Sequence, residues 1–323
     1  VSKSLKKILK TVLPIGFGLG LIAYSYAVTT PEEREQIVTY ITNADLFWVG
    51  ISVLLGFLSH LSRAIRWNFL LEPLGYRPSL LNRTLLVFVA YFANLGIPRA
   101  GEILRATGLD TYEKVPFEKG FGTIVTERII DPIMLLSVIG LALILQTESI
   151  MDILMQKKID PWKIGLLALA GLAGLLFFVL VIKRSNHALA LKIKNFITGL
   201  LEGVLSVFKM KQKGWFLFHT FFIWACYVGM FWVIKFTVPE TVSLGFGPIL
   251  VAFVAGAFAM TASNGGLGIF PVAVSAILVA FGISKVSGDA FGWIMWISQT
   301  LMVVLFGAIS FFLLPLYNKD TKG

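Results

Sequence analysis

Six uninterrupted apolar runs dominate this chain, over residues 8–28, 46–71, 117–145, 162–182, 215–237 and 290–314. Each reaches the roughly 20 residues that a helix needs to cross the hydrocarbon of a bilayer. Hydrophobic residues make up 57% of the chain and charged residues 14%, against about 45–50% and about 25% in soluble domains. A soluble fold with 27 Phe and 8 Trp on that background would expose large apolar patches and aggregate. The chain therefore reads as an all-α polytopic membrane protein, one integral membrane domain over residues 1–323, with no soluble domain left over.

Two further apolar regions, 84–110 and 246–283, are broken in the middle. The first breaks at Asn94–Gly101 (NLGIPRAG) and the second at Ser263–Gly268 (SNGGLG). Proline cannot donate to a helical ladder and glycine tolerates non-helical backbone, so each region predicts two half-helices around a turn. The halves 246–262 and 269–283 would span only about 26 and 22 Å at 1.5 Å per residue. Re-entrant hairpins are therefore expected, entering from opposite faces with an inverted pseudo-symmetry. Irregular backbone at membrane depth is tolerated only where protein buries it or a watery cavity solvates it.

Loop charges set the orientation, because Lys and Arg accumulate on the cytoplasmic side. Lys3, Lys6, Lys7 and Lys10 place the N-terminus inside, and the acidic connection Pro31–Glu35 with Asp45 lies outside. Arg63, Arg66, Arg77 and Arg83 return the chain inside, and the basic segment 183–213 is the strongest inside signal. By parity the first broken region starts and ends inside, the second starts and ends outside, and the C-terminus is cytoplasmic. A net charge of +10 reflects those loops and not nucleic-acid binding. A rival reading of the first run is a signal peptide with a small-x-small site at Ser25-Tyr26-Ala27, which leaves the remaining topology unchanged. Between 187 and 209, Leu189, Ile193, Phe196, Leu200 and Val204 form one stripe and Lys192, Asn195, Glu202 and Lys209 another, the pattern of an interfacial amphipathic helix.

Charge at membrane depth is expensive, so its placement is informative. Arg63 and Arg66, with His60 and Trp67, sit near the inner end of the second run. Arg99, Glu102 and Arg105 follow the first break at three-residue spacing, which puts them along one helical face. Glu127, Arg128 and Asp131 sit about ten residues into the 117–145 run, near mid-membrane. Each cluster also has a bland reading: snorkelling of Arg63 and Arg66 to headgroups, and ion pairs that hold the hairpin for the other two. Arginines outnumber carboxylates here, leaving capacity for an anion such as phosphate.

The second half is nearly without charge, so its contribution would come from backbone. A half-helix starting after Asn264, Gly265 and Gly266 would aim free N–H groups and a partial positive charge into the membrane, unless the glycines serve only tight packing. Paired broken segments in two halves are a pointer to a transporter's central site, here including Asn94 beside the first break. One Cys, Cys226, and three scattered His argue against a metal or iron–sulfur centre, and no cofactor is expected. There is no P-loop, HExxH or GxSxG motif.

The run Asn94–Leu109 (NLGIPRAGEILRATGL), then Thr126–Asp131 (TERIID), then Ser263–Phe270 (SNGGLGIF), resembles the flippase-like membrane domain of lysylphosphatidylglycerol synthases. The Pro-x-x-Gly-Glu-x-x-Arg element falls on Pro98, Gly101, Glu102 and Arg105, the Glu-Arg-x-x-Asp element on Glu127, Arg128 and Asp131, and the Gly-Gly-x-Gly element on Gly265, Gly266 and Gly268. Many relatives place a Glu shortly after the Gly-rich turn, where this chain has Pro271 after Phe270. The resemblance covers roughly 8–315 and implies the free-standing form, without the soluble aminoacyl-transfer domain and without aminoacyl-lipid synthesis. It further implies movement of a charged-headgroup lipid between leaflets of a bacterial or archaeal cell membrane.

The expected function is thus lipid translocation, not catalysis, on an anionic, zwitterionic or polyprenyl-phosphate lipid. Arg63, Arg66, Arg99, Arg105 and Arg128 would engage phosphate, with Glu102, Glu127 and Asp131 positioning them or exchanging protons. The alternative is an accessory subunit that presents lipid to a lipid-modifying or glycosyl-transferring enzyme. A homo-oligomer is a further partner consistent with either, and an intramembrane enzyme is the least favoured class. The charge asymmetry generates a first prediction. In a Cys226→Ala background, a Cys probe at position 33 should label only from outside and one at 211 only from the cytoplasm; labelling of both from one side would overturn the orientation.

Overall fold

The computed structural model describes residues 3–147 and 210–319, with isolated positions between 162 and 191. The span expected over 162–182 and the interfacial helix over 187–209 lie outside the described residues, apart from those positions. The chain divides into two compact units, residues 1–127 with 212–323, and residues 128–211. Helix is the only regular structure among the described residues, and the chain is an all-α polytopic membrane protein.

Helix α1 covers Lys3–Val28, α2 Pro31–Thr42 and α3 Leu46–Leu71. Helix α4 (Leu80–Gly96) and α5 (Ala100–Glu113) form the first interrupted pair, and α6 is Phe117–Leu145. After the basic segment come α7 (Lys213–Ile234), α8 (Phe246–Ala262), α9 (Ile269–Ala280) and α10 (Lys285–Tyr317). The stretches Leu46–Leu74, Phe117–Leu145, Lys213–Thr237 and Lys285–Tyr317 are long and apolar enough to cross a membrane, whereas α4, α8 and α9 are shorter apolar helices.

Local chemistry explains where several helices start. The acidic connection after the first run is itself helical: Thr30 and Glu33 form a reciprocal capping box, and Pro31 occupies the first turn of α2. Asp45 caps α3 by accepting from the Phe47 amide. Helix α4 begins at Leu80, ahead of its apolar run, because Ser79 accepts from the Asn82 amide and the polar residues of that turn find partners. Asn82 donates to Glu113 and exchanges side-chain hydrogen bonds with Asn318 at 2.9 and 2.8 Å, and Arg83 donates to the Ala64 carbonyl at 2.6 Å. Helix α10 likewise starts at Lys285, capped by Ser284, whose amide and hydroxyl also donate to Glu240. The hydroxyl of Ser284, then that of Ser287, holds the Glu240 carboxyl below the usual carboxylate range.

In a bilayer, lipid tails compete for apolar faces, so helices associate through close packing and hydrogen bonds. Helix α3 lies along α7, α4 packs on both α5 and α10, and α9 lies between α8 and α10. A core of Ala64, Trp67, Leu71, Leu86, Ala106, Leu109 and Ile124 joins α3, α4, α5 and α6. Missing side chains allow the closest crossings. A Cβ on Gly101 would lie 2.2 Å from the Ala90 carbonyl oxygen, and one on Gly292 2.7 Å from that of Pro271. Both neighbours are backbone and cannot rotate away. Gly101→Ala should therefore destabilise the protein by about 1–3 kcal/mol, read as a lower melting temperature in detergent. Gly96→Ala, where nothing lies within 4 Å, should leave it unchanged; equal melting of the two variants would contradict the packing.

Candidate functional site

The most deeply buried charges meet at one carboxylate. On α3, Arg66 is 0% exposed, and its Nη2 lies 3.5 Å from Glu127 Oε1 of α6, itself 1% exposed. From α5, Arg105 approaches the other oxygen, with Nη1 2.8 Å from Oε2 and a side chain 2% exposed. Hydroxyls and rings complete the arrangement. Arg66 Nη1 donates to Thr220 Oγ1 at 3.2 Å, and the Arg105 guanidinium stacks 3.9 Å above the Trp67 ring. Trp67 is held in turn by Nε1 donating to Thr123 Oγ1 at 2.8 Å. Charges removed from water are tolerable only when paired this closely. Arg63, one turn before Arg66, donates to the Tyr227 hydroxyl at 3.1 Å and lies 5.9 Å from the Tyr91 ring, on which His60 also packs.

The two breaks are built differently. At the first, Asn94 reaches across from α4: its Oδ1 accepts from the Gly101 amide at 2.8 Å and satisfies one of the open donors of α5. Arg99 precedes α5 with φ 62°, in the left-handed region that non-glycine residues rarely occupy. Its side chain is exposed and, among the described residues, has no hydrogen-bond or ion-pair partner. At the second break, Gly265, Gly266 and Gly268 take φ of 64°, 75° and 71°. Trp296 Nε1 of α10 donates to the Gly265 carbonyl at 2.7 Å, and α9 starts at Ile269 without a side-chain cap. Ser263, 7% exposed, leaves its hydroxyl without a hydrogen-bond partner among the described residues.

The breaks touch each other. A Cβ on Gly265 would lie 2.7 Å from Leu95 Cδ2 and 3.9 Å from Leu95 Cα, so the Gly-rich turn sits against the last turn of α4. Residues 96–99 and 260–262 on either side of this contact are exposed. The first helix also reaches here, with Gly18 in backbone contact with Leu267 and Gly268.

Of the residues singled out in the sequence, Arg66, Arg105 and Glu127 form one ion-paired group, and Asn94, Gly265 and Gly266 lie where the breaks meet. Arg99 and Arg105 do not share a helical face: the left-handed turn at Arg99 ends the helical register, so one guanidinium is exposed and the other buried. Glu102 is half-buried and has a partner within the chain. Arg128, exposed, and Asp131, half-buried, belong to the second unit and also have partners there or elsewhere in the chain. Asn264 lies in the short helical turn Asn264–Gly266. Sequence reasoning missed Thr123, Thr220, Tyr91, Tyr227 and Trp296. Each is a neutral donor or acceptor within an apolar run, the pattern polar contacts between membrane helices require. Among the described residues, no group of three His, Cys, Asp or Glu could hold a metal ion.

Over residues 11–307 the chain matches the family of the lysylphosphatidylglycerol synthase TM region. It belongs to that family. Three relatives of this synthase-type membrane region share local segments with it. A glycosyltransferase, AglD, of Haloferax volcanii is 30% identical over 111 residues, which is 34% of this chain and 17% of AglD. A UPF0104 membrane protein of Methanocaldococcus jannaschii is 31% identical over 100 residues, 30% of each chain. Another of Methanothermobacter thermautotrophicus is 30% identical over 152 residues, 45% of this chain and 40% of the relative. The matched segments thus span well under half the length of each relative.

Glu127 carries a prediction of its own. Glu127→Gln leaves two buried guanidiniums beside a neutral amide and should destabilise by about 3–5 kcal/mol. Adding Arg105→Gln should recover part of that loss in melting temperature. Unchanged melting of the single variant would show that the ion pairs hold nothing together.

Proposed function

We propose that this protein is a lipid translocase, moving a charged-headgroup lipid between the leaflets of the cell membrane, with both termini cytoplasmic. The observation that carries the reading is the contact between the two interrupted helix pairs, with exposed Arg99 beside it. Broken helices meeting at membrane depth are how many transporters build a central substrate site. Arg99 supplies a guanidinium without an ion-pair partner among the described residues, suited to a headgroup phosphate. Membership of the lysylphosphatidylglycerol synthase membrane-region family links the chain to lipid handling. Arg66, Arg105 and Glu127 act in this reading as a brace that positions the hairpin and not as the phosphate contact, since their side chains are at most 2% exposed.

The second reading is an accessory membrane subunit that presents lipid to a partner enzyme. The match to a short part of a longer protein named as a glycosyltransferase favours keeping it. A liposome assay that reports each leaflet separately decides between them, since only a translocase works alone. With the purified chain, Arg99→Ala should slow movement of a fluorescent phosphatidylglycerol at least tenfold, with melting unchanged because Arg99 has no hydrogen-bond or ion-pair partner among the described residues. Arg99→Lys should retain much of the rate. Movement by Arg99→Ala at the parent rate would remove Arg99 from the site, and no movement by the parent chain would favour the subunit reading.

A further inference from the structure

We infer that the site where the two breaks meet selects lipids of net negative headgroup charge and discriminates against cationic, aminoacylated headgroups. This rests on the translocation reading for its purpose, but concerns binding alone. Charge is sparse at the two breaks. Within residues 94–101 and 260–270, the two breaks and their edges, Arg99 is the sole ionisable side chain. It is exposed and has no internal partner among the described residues. The other polar groups there suit an anion. Ser263 holds a buried hydroxyl without a hydrogen-bond partner among the described residues, and α9 begins with the uncapped amides of Ile269 and Phe270.

A lysyl ester on a phosphatidylglycerol headgroup adds two ammonium groups to one phosphate and makes the head cationic. Such a head needs carboxylates. The nearest in sequence, Glu102, is half-buried and engaged within the chain. Glu127 lies between Arg66 and Arg105 with 1% of its side chain exposed. The second break and its edges, residues 260–271, hold none, and Pro271 follows Phe270 at the start of α9. An ammonium entering the site meets a guanidinium of like charge with no neutralising partner, whereas a phosphodiester meets its complement.

Native mass spectrometry of the detergent-purified full chain, titrated with dioleoyl phosphatidylglycerol, dioleoyl phosphatidylethanolamine and lysyl-phosphatidylglycerol, tests this. Phosphatidylglycerol should bind at least tenfold more tightly than the lysyl lipid, equivalent to about 1.4 kcal/mol, with the zwitterionic lipid between them. Arg99→Gln should abolish the preference, Arg99→Lys should keep it and Arg99→Glu should reverse it. A preference that arose from the basic loops would survive Arg99→Gln, and that result overturns the inference. Equal or tighter binding of the lysyl lipid by the parent chain overturns it as well. Selective binding without movement in liposomes would leave this inference standing and strike the translocation reading instead.

Discussion

Glu127 is the carboxylate on which two buried guanidiniums depend, and through them the arrangement of three helices. Arg66 comes from α3 and Arg105 from α5, and both reach Glu127 of α6. Two like charges cannot share so dry a place without the anion between them. The Arg105–Trp67 stack and the Trp67–Thr123 hydrogen bond add to the same contact. Arg105 lies six residues, about 9 Å of helix, beyond Arg99. Fixing α5 therefore fixes where the backbone of Arg99 stands.

Backbone hydrogen bonding supplies the second constraint. A broken helix strands polar groups that lipid could not satisfy. Asn94 answers this at the first break by accepting from the Gly101 amide, and Trp296 at the second by donating to the Gly265 carbonyl. The price appears in the dihedrals: three glycines and Arg99 take positive φ. For glycine this costs little, but for Arg99 it is of the order of 1 kcal/mol or more. Arg99 thus stands just outside the helix that begins at Ala100, with its side chain exposed.

Much of the fold is legible from hydrophobic runs alone, because a membrane helix must be apolar along its length. Helices α3 and α6 end where their runs end, and the two breaks lie at the Pro- and Gly-containing segments. Legibility fails where polar residues extend a helix beyond its run. Asn82 and Arg83 read as loop chemistry, yet they sit inside α4 because Glu113, Asn318 and the Ala64 carbonyl satisfy them. It fails again at Arg99. Three-residue spacing to Glu102 and Arg105 implies a shared face only if the helix already includes Arg99, and a single left-handed residue cancels that. Contacts distant in sequence, such as Arg66 with Thr220 and Leu95 with Gly265, leave no periodic trace. Arg66 and Gly265 stood out by charge and by the Gly-rich break, but their partners Thr220 and Leu95 looked like ordinary members of apolar runs.

Brace and breaks together describe a membrane protein in which charge is divided into two roles. Buried Arg66 and Arg105 pair with Glu127 and join helices, while Arg99 is exposed at the first break, where the proposed reading puts a headgroup phosphate. The claim that a headgroup occupies this place is open to direct measurement. A phosphatidylglycerol analogue with a photoreactive headgroup, crosslinked to the protein in native membranes and mapped by peptide mass spectrometry, should label residues 96–99 and 260–263. Labelling confined to the outward faces of α6 and α10, with neither break modified, would contradict the account.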